Sequence, residues 1–215
     1  MARVVSVNVG RPRLVDAGRR SVRTAIWKRP VEGRVPVRGV NLAGDDQADR
    51  SVHGGPDKAV YAYAGEEIAT WERELRRDLG PAPFGENLTT EGIDVSGALV
   101  GERWRVGTTL LEVVQPRLPC FKLGLRIGSP TFLRRFVLAS RPGAYLRIVE
   151  EGELGAGDPI EVDLATLPDH GVSMRMVFDA VLADDSLIPH VLEAPTLLPS
   201  LRTWLTSRLE PERAG

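Results

Sequence analysis

The sequence predicts a mainly β fold with interrupting helices and a small three-helix C-terminal appendage. Three observations carry this. The first 165 residues break into short apolar-alternating runs, 22 glycines and 16 prolines punctuate the chain, and helix-like apolar spacing takes over after about Leu167. Many short strands with Gly and Pro turns describe a β-barrel or a sandwich, and the runs alone do not choose between them.

Arg3–Val9 alternates, which puts Val5, Val7 and Val9 on one face of a strand. Val31–Val37 reads as a second strand, with Val31, Val35 and Val37 in phase around Gly33. Gly65–Leu79 reads as a helix that aligns Ile68, Trp71, Leu75 and Leu79. Glu66 and Glu67 in its first turn, and Arg76 and Arg77 near its end, suit the helix dipole, and Gly80-Pro81 would stop it. Trp104–Val106 and Leu110–Val114 are strands around the turn Gly107-Thr108-Thr109. A second helix is expected from an N-cap at Ser129, with Pro130 at its first position, to about Ala139, burying Phe132, Leu133 and Phe136. Ala144–Val149 and Ile160–Leu164 form another strand pair. Val172–Leu182, Ser186–Leu192 and Leu198–Leu209 are the three helices of the appendage. Together these divide the chain into a barrel-like domain over 1–166 and an appendage over 167–215, which is too small to bury its own core and should dock on the barrel.

Composition limits the function classes. The net charge of −1 argues against bulk attraction to nucleic acid or acidic lipid. No apolar run approaches the roughly 18 residues of a membrane span, and the apolar run after Arg3 is too short and too broken for a signal peptide. With one cysteine, the chain suits a reducing cytoplasm. Charge is uneven, because residues 1–40 hold ten Lys or Arg against Asp16 and Glu32. That excess describes either an anion-facing edge or ordinary solvated strand faces.

Chemistry-bearing residues fall in three clusters. The first is Asp45-Asp46-Gln47-Ala48-Asp49 running to His53-Gly54-Gly55-Pro56-Asp57-Lys58 and Tyr61. Its glycines permit close backbone approach, while His53 and Lys58 can donate to an anion. The second is Phe84-Gly85-Glu86-Asn87-Leu88, where the Asn87 amide could hold a heteroaromatic edge. The third is Gln115-Pro116-Arg117-Leu118-Pro119-Cys120-Phe121-Lys122. Prolines restrict the approach to the only thiol, and the bases Arg117 and Lys122 beside it favour a thiolate, the form that binds soft or high-valent metals. Taken singly, each cluster is also ordinary turn chemistry or a core cysteine beside surface bases.

Together, in order, the three motifs resemble the MOSC domain, the family named for the C-terminal domain of molybdenum-cofactor sulfurase. More narrowly, they resemble its YiiM-like bacterial stand-alone branch, whose C-terminal three-helix appendage this chain shares. The likeness extends to Gly143-Ala144-Tyr145-Leu146-Arg147 and Gly157-Asp158. It implies a MOSC-type β-barrel that binds a molybdenum cofactor of the molybdopterin type. Pyridoxal phosphate is not expected. Cys120 matches the metal-ligating cysteine. His53, Gly54, Lys58, Asn87, Arg117 and Lys122 fall at cofactor-pocket positions, with Lys58 and Arg117 toward the phosphate or pterin, Asn87 toward the pterin edge and His53 as a proton donor. Phe121 departs from the Trp frequent in this branch, which bears on pocket shape rather than on metal binding. His170 and His190 lie outside the motifs and read as surface or capping residues.

The implied activity is reduction of N-hydroxylated compounds of the hydroxylamino-purine type by oxygen abstraction at the Cys-ligated metal. One cysteine cannot build a four-cysteine iron–sulfur cluster, and no Gly-x-Gly-x-x-Gly element follows a strand. The electrons are therefore expected from an external reductase. The expected partners are a small N-hydroxylated substrate and that donor, without membrane or nucleic acid, and with a homodimer left open. Two other functions use the same residues: a cofactor or sulfur carrier with a Cys120 persulfide, and a non-catalytic binding barrel using the basic N-terminal segment.

Overall fold

The structure, a computed structural model, describes residues 1–18, 20–48 and 54–209. The chain starts with β1 (Arg3–Val9), a hairpin of β2 (Arg13–Asp16) and β3 (Ser21–Thr24), then β4 (Arg29–Val31), β5 (Val35–Arg38) and β6 (Asn41–Leu42). β7 (Val60–Ala64) runs straight into α1 (Gly65–Leu75), and β8 (Leu88–Glu91), β9 (Arg103–Val106) and β10 (Thr109–Gln115) follow. α2 (Phe121–Ile127) and α3 (Phe132–Ala139) separate β10 from β11 (Ala144–Glu150), and β12 (Gly152–Leu154) and β13 (Ile160–Val162) complete the strands. The C-terminal helices are α4 (Met174–Leu182), α5 (Ile188–Val191) and α6 (Pro199–Leu209).

Eight strands form one sheet in the order β13-β9-β10-β11-β7-β8-β1-β4, antiparallel except for the β7–β8 pair. The sheet curls back on itself. Val4 donates to the Asp158 carbonyl at 2.9 Å, Gly157 to the Val4 carbonyl at 2.8 Å and Ile160 to the Ala2 carbonyl at 3.0 Å, which joins β1 to the approach to β13. A curled sheet closed in this way is the predicted barrel-like architecture. β12, β5 and β6 make a second small sheet, and β2–β3 stands as a separate two-stranded ribbon.

Several boundaries differ from the sequence reading. Val5, Val7 and Val9 do not share a buried face. The register slips between Val4 and Ser6, so Val4 and Val7 both point inward and Val5 is exposed. One extra residue in a strand does this, because side chains alternate with a period of two. Val31–Val37 is two strands in different sheets, broken at Gly33, whose φ of 77° suits glycine. The first helix ends at Leu75 rather than Leu79. Arg76 adopts a left-handed conformation there and the Glu72 carboxylate captures the Leu79 N–H at 3.0 Å, folding the chain back. Ser129 does not cap α3 through its side chain, which meets the Thr131 hydroxyl instead.

Two packed regions organise the interior. The barrel core joins Val4, Val7, Trp104, Leu111 and Leu146 to Val172, Met174 and Val177, so the C-terminal helices share it. Backbone bonds from Val100 to the Val172 carbonyl and from Met174 to the Ala98 carbonyl tie α4 to the barrel, and Ser173 caps α4 by accepting the Met176 N–H. The second region is aromatic. Trp71 is fully buried against Phe132 at 4.9 Å, donates to the Tyr63 hydroxyl at 2.9 Å and lies under the Arg141 guanidinium at 4.2 Å. It joins α1 and α3 to β7 behind the cysteine segment. Replacing Trp71 with Ala should therefore cost about 3–5 kcal/mol in urea unfolding, with the transition remaining cooperative.

Candidate functional site

β10 is buried along its whole length and delivers the chain to Pro116 and a fully enclosed Arg117. Cys120 then sits at the start of α2 in an extended conformation, and its carbonyl accepts the Leu123 N–H at 2.9 Å. The thiol is half-buried and faces a cleft. The deep part of this cleft measures about 100 Å³, the liquid volume of about three waters, and it opens to solvent. That suffices for a metal or a phosphate-sized group, and a larger ligand would extend along the open side.

The walls come from five places. Thr24, Ala25 and Ile26 follow the hairpin, and Asp45, Asp46, Gln47 and Ala48 form the loop after β6. Lys58 and Tyr61 flank the start of β7, and Phe84, Gly85 and Asn87 precede β8. Arg117, Cys120, Lys122 and Tyr145 close the remaining side. Gly85 has a φ of 74°, and a Cβ there would fall 2.6 Å from Ile26, so glycine is what lets these two walls meet.

Asp45 ties its own loop to the chain on either side of the hairpin and to the turn before β8. It pairs with Lys28 at 2.5 Å, accepts the Gly10 N–H at 2.7 Å and accepts an Asn87 amide hydrogen at 2.8 Å. Asn87 also donates to the Asn8 carbonyl at 3.1 Å and accepts the Tyr61 N–H at 3.1 Å. Both its amide hydrogens are thus used within the protein, leaving only spare acceptor capacity on its oxygen for a ligand. Burial pulls the Lys28 ammonium below its ordinary pKa, and Asp45 opposes that. Gln47 donates to the carbonyls of Val40 and Lys58 and accepts the Gly55 N–H, fixing the approach to Lys58.

Arg117 is different. Its guanidinium is buried, its Nη1 has no hydrogen-bond partner, and no ion pair reaches it among the described residues. Burial opposes its charge, while Tyr61, Tyr145 and Cys120 together hold its pKa above the ordinary value. Its guanidinium lies 5.7 Å from the Tyr61 ring. A buried cation without a counter-ion is costly unless something supplies one. Tyr145 stands on the same wall with its ring 4.9 Å from that of Tyr61. The Tyr61 hydroxyl is occupied by the Pro142 carbonyl, whereas that of Tyr145 has no protein partner among the described residues. Burial raises the pKa of Tyr145, which keeps it a proton-bearing donor.

Of the residues picked from sequence, Lys58, Asn87, Arg117, Cys120 and Lys122 converge on one cleft. Gly54 is not on its wall, and His53 lies outside the described residues. Tyr145, Lys28 and the Thr24–Ile26 wall were not predicted. Tyr145 sat in a quoted motif, but nothing local marks it as facing a cleft, and Lys28 is separated from Asp45 by the intervening strands. His170 accepts the Val172 N–H and meets the Val100 carbonyl, while His190 meets Glu193 at the surface, so both read as the expected structural histidines. Of the ten bases in residues 1–40, three are paired among the described residues: Arg3 with Glu91, Arg34 with Asp158 and Lys28 with Asp45. Among the described residues, no group of three His, Cys, Asp or Glu could cage a metal. A half-buried thiol with Arg117, Lys58 and Lys122 on the same cleft is a donor set that fits a metal arriving with its own anionic organic ligand.

Glu86 lies beneath the site, fully buried, accepting from Phe84 N–H and the Thr89 hydroxyl. Burial raises its pKa from 4.5 to about 7. The folded carboxyl holds a proton that the unfolded one releases, so stability should fall as pH rises from about 4.5 through about 7, by on the order of 3 kcal/mol. Glu86→Gln should remove this share of the slope in urea titrations across the range, leaving that of Glu67, which burial also raises from 4.5 to about 7. Asp45→Ala leaves the Lys28 ammonium buried without its partner and should cost about 3–5 kcal/mol by the same measurement.

Comparisons with known proteins bear on family and fold. Residues 49–161 match the MOSC domain. The uncharacterized protein YflK of Bacillus subtilis (strain 168) is 36% identical over 172 residues, covering 80% of this chain and 77% of that one. A protein named Reductase in Gibberella moniliformis (strain M3125 / FGSC 7600) is 33% identical over 147 residues, or 66% of this chain and 26% of the fungal protein. The crystal structure of YiiM from Geobacillus stearothermophilus superposes with a TM-score of 0.77 at 27% identity, covering 98% of this chain and all of that one. No helix among the described residues is long and apolar enough to cross a membrane. By motif, sequence and fold, the chain belongs to the MOSC domain family, in its YiiM-like stand-alone branch.

Proposed function

We propose that this protein binds a molybdenum cofactor of the molybdopterin type, with Cys120 as the metal's protein ligand, and reduces N-hydroxylated compounds such as hydroxylamino-purines. The observation that carries the proposal is Arg117: a buried guanidinium with an unpartnered Nη1, in the same cleft as the only thiol. A permanently charged planar fork suits a phosphate, and no carboxylate among the described residues pairs with it. Membership of the MOSC family and a relative named Reductase support the same reading.

The chemistry such a group supplies when bound is two-electron redox change with acceptance of an oxygen atom. The protein's part is positional. Arg117 anchors an anionic group at depth, with Lys58 and Lys122 nearer the opening. Burial lowers the Lys58 pKa, with Asp57 opposing, so part of its hydration is already lost before a ligand arrives. The Tyr145 hydroxyl is the proton-bearing donor available beside Cys120, and it can hold a substrate oxygen through a hydrogen bond. Lys28, Asp45 and Asn87 keep the cleft from collapsing onto the thiol.

Elemental analysis for molybdenum with released-pterin fluorescence, on protein made in a cofactor-producing host, tests this. Wild type should carry near-stoichiometric metal and pterin. Cys120→Ala should lose the metal, and Arg117→Met should retain pterin roughly 10- to 150-fold less well, as expected for about 1.5–3 kcal/mol from a charge-assisted hydrogen bond. Folded wild type with neither metal nor pterin, or with a Cys120 persulfide in their place, would move the protein to the carrier function.

A further inference from the structure

The mouth of the cleft carries several bases that form no ion pair among the described residues, although Arg11 and Arg23 line a shallow hollow with Asp45 and Asp46. Arg11, Arg13, Arg20 and Arg23 belong to the hairpin region, where the one acid among the described residues, Asp16, is engaged with the Gly18 N–H at 2.8 Å. Residues 117–128 hold Arg117, Lys122 and Arg126 and no acid. Elsewhere some arginines are paired across the surface, as Arg103 is with Glu112, Arg105 with Glu150 and Arg175 with Asp94, while Arg29, Arg38, Arg76 and Arg134 stand singly rather than clustered. Among the described residues, Arg11, Arg13, Arg20, Arg23 and Lys122 form no ion pair.

The hairpin and α2 are neighbours, so these charges form one face. The Arg20 guanidinium lies 5.6 Å from the Phe121 ring, and Arg13 is close enough to Arg126 to help depress its pKa, of which burial is the larger cause. The residues that follow the hairpin, Thr24–Ile26, are themselves a cleft wall. Leu118 and Phe121, on either side of Cys120, are 40% and 44% exposed, giving the face an apolar centre within a basic surround. The remainder of the molecule is acidic. Residues 1–40 carry a net +8 in a chain of net −1, so residues 41–215 carry a net −9. An asymmetry of this size orients an approaching acidic protein toward the cleft.

We infer that this face docks an acidic electron carrier protein of the ferredoxin or flavodoxin type, beside Cys120. The inference rests on the reductase reading of the cleft. Reduction of a hydroxylamine to an amine consumes two electrons and two protons, cleaves the N–O bond and releases one water, and the chain has one cysteine with which to hold a redox centre of its own. The carrier supplies the electrons, one per encounter, and is itself oxidised. Nucleic acid fits this face less well, because the two aromatic rings beside it, Trp27 and Phe121, are already covered by Arg13 and Arg20.

The test measures binding of a reduced plant-type ferredoxin and a flavodoxin to the holoprotein at low and high salt, alongside hydroxylaminopurine reduction driven either by these carriers or by reduced methyl viologen. At least one carrier should bind at low salt and weaken steeply with salt. Arg13→Glu/Arg20→Glu and, separately, Arg11→Glu/Arg23→Glu should weaken binding and carrier-driven turnover about tenfold or more while viologen-driven turnover is kept. Binding of neither carrier, binding unaffected by salt and by both double variants, or tighter binding of a single-stranded oligonucleotide would overturn the inference. Failure of viologen-driven reduction by wild type would instead count against the reductase reading, and the binding measurements would still decide the docking face.

Discussion

The site depends on one buried carboxylate. Asp45 meets an ammonium, a backbone N–H and a side-chain amide that belong to three segments far apart in sequence: Lys28, Gly10 and Asn87. None of these segments is held at this point by the main sheet's ladder alone. The chain after β1, the strand entry after the hairpin and the turn before β8 would be free to spread without a shared acceptor. A paired charge in a dry setting is a weak source of net stability but a strong source of register, because every alternative arrangement leaves a donor or a charge unsatisfied. The floor of the cleft is therefore fixed more rigidly than its loop composition suggests.

Against that satisfied network stands Arg117, which is enclosed and unsatisfied. The contrast is informative because the protein neutralises its other buried cation. Lys28 has a carboxylate at 2.5 Å, while Arg117 is surrounded by aromatic rings and a thiol. A fold that merely needed a large side chain there could use an apolar one at lower desolvation cost. The rigid backbone leading to it, β10 and then Pro116, keeps the guanidinium from turning out to solvent. Strain of this kind, held by structure on all sides, is what a ligand-binding position requires.

How far the sequence revealed this depended on whether the signal was local. The Cys120 run could be read because one thiol preceded by two prolines and flanked by two bases is unusual within eight residues, and the order of three motifs placed it in a family. The barrel could be read from its strands, but their phase could not. The bulge near Val5 and the split at Gly33 depend on which partner strands arrive, which is a tertiary matter. β7 was missed because all five of its residues are buried, which erases the alternation that marks a half-buried strand. α2 was missed because seven residues are too few to show a helical period. Asn87 was assigned to a ligand from its amide alone, and only the structure shows both amide hydrogens already committed to Asn8 and Asp45.

Tyr145 illustrates the same limit from the other side. Along β11 it alternates with Ala144 and Leu146, both fully buried, so a strand pattern assigns it simply to the opposite face. What gives it chemical meaning is that this opposite face is the cleft. α2 and α3 leave the barrel after β10 and return at β11, so the strand that follows the cysteine segment comes back beside it, bringing Tyr145 into line with Gln115 and Tyr61. The excursion that carries Cys120 away from the sheet is thus also the one that returns a hydroxyl to it. The thiol and the proton-bearing group sit on opposite ends of one connection, and the buried aromatic cluster of Trp71, Phe132 and Phe136 packs beneath it and sets its shape.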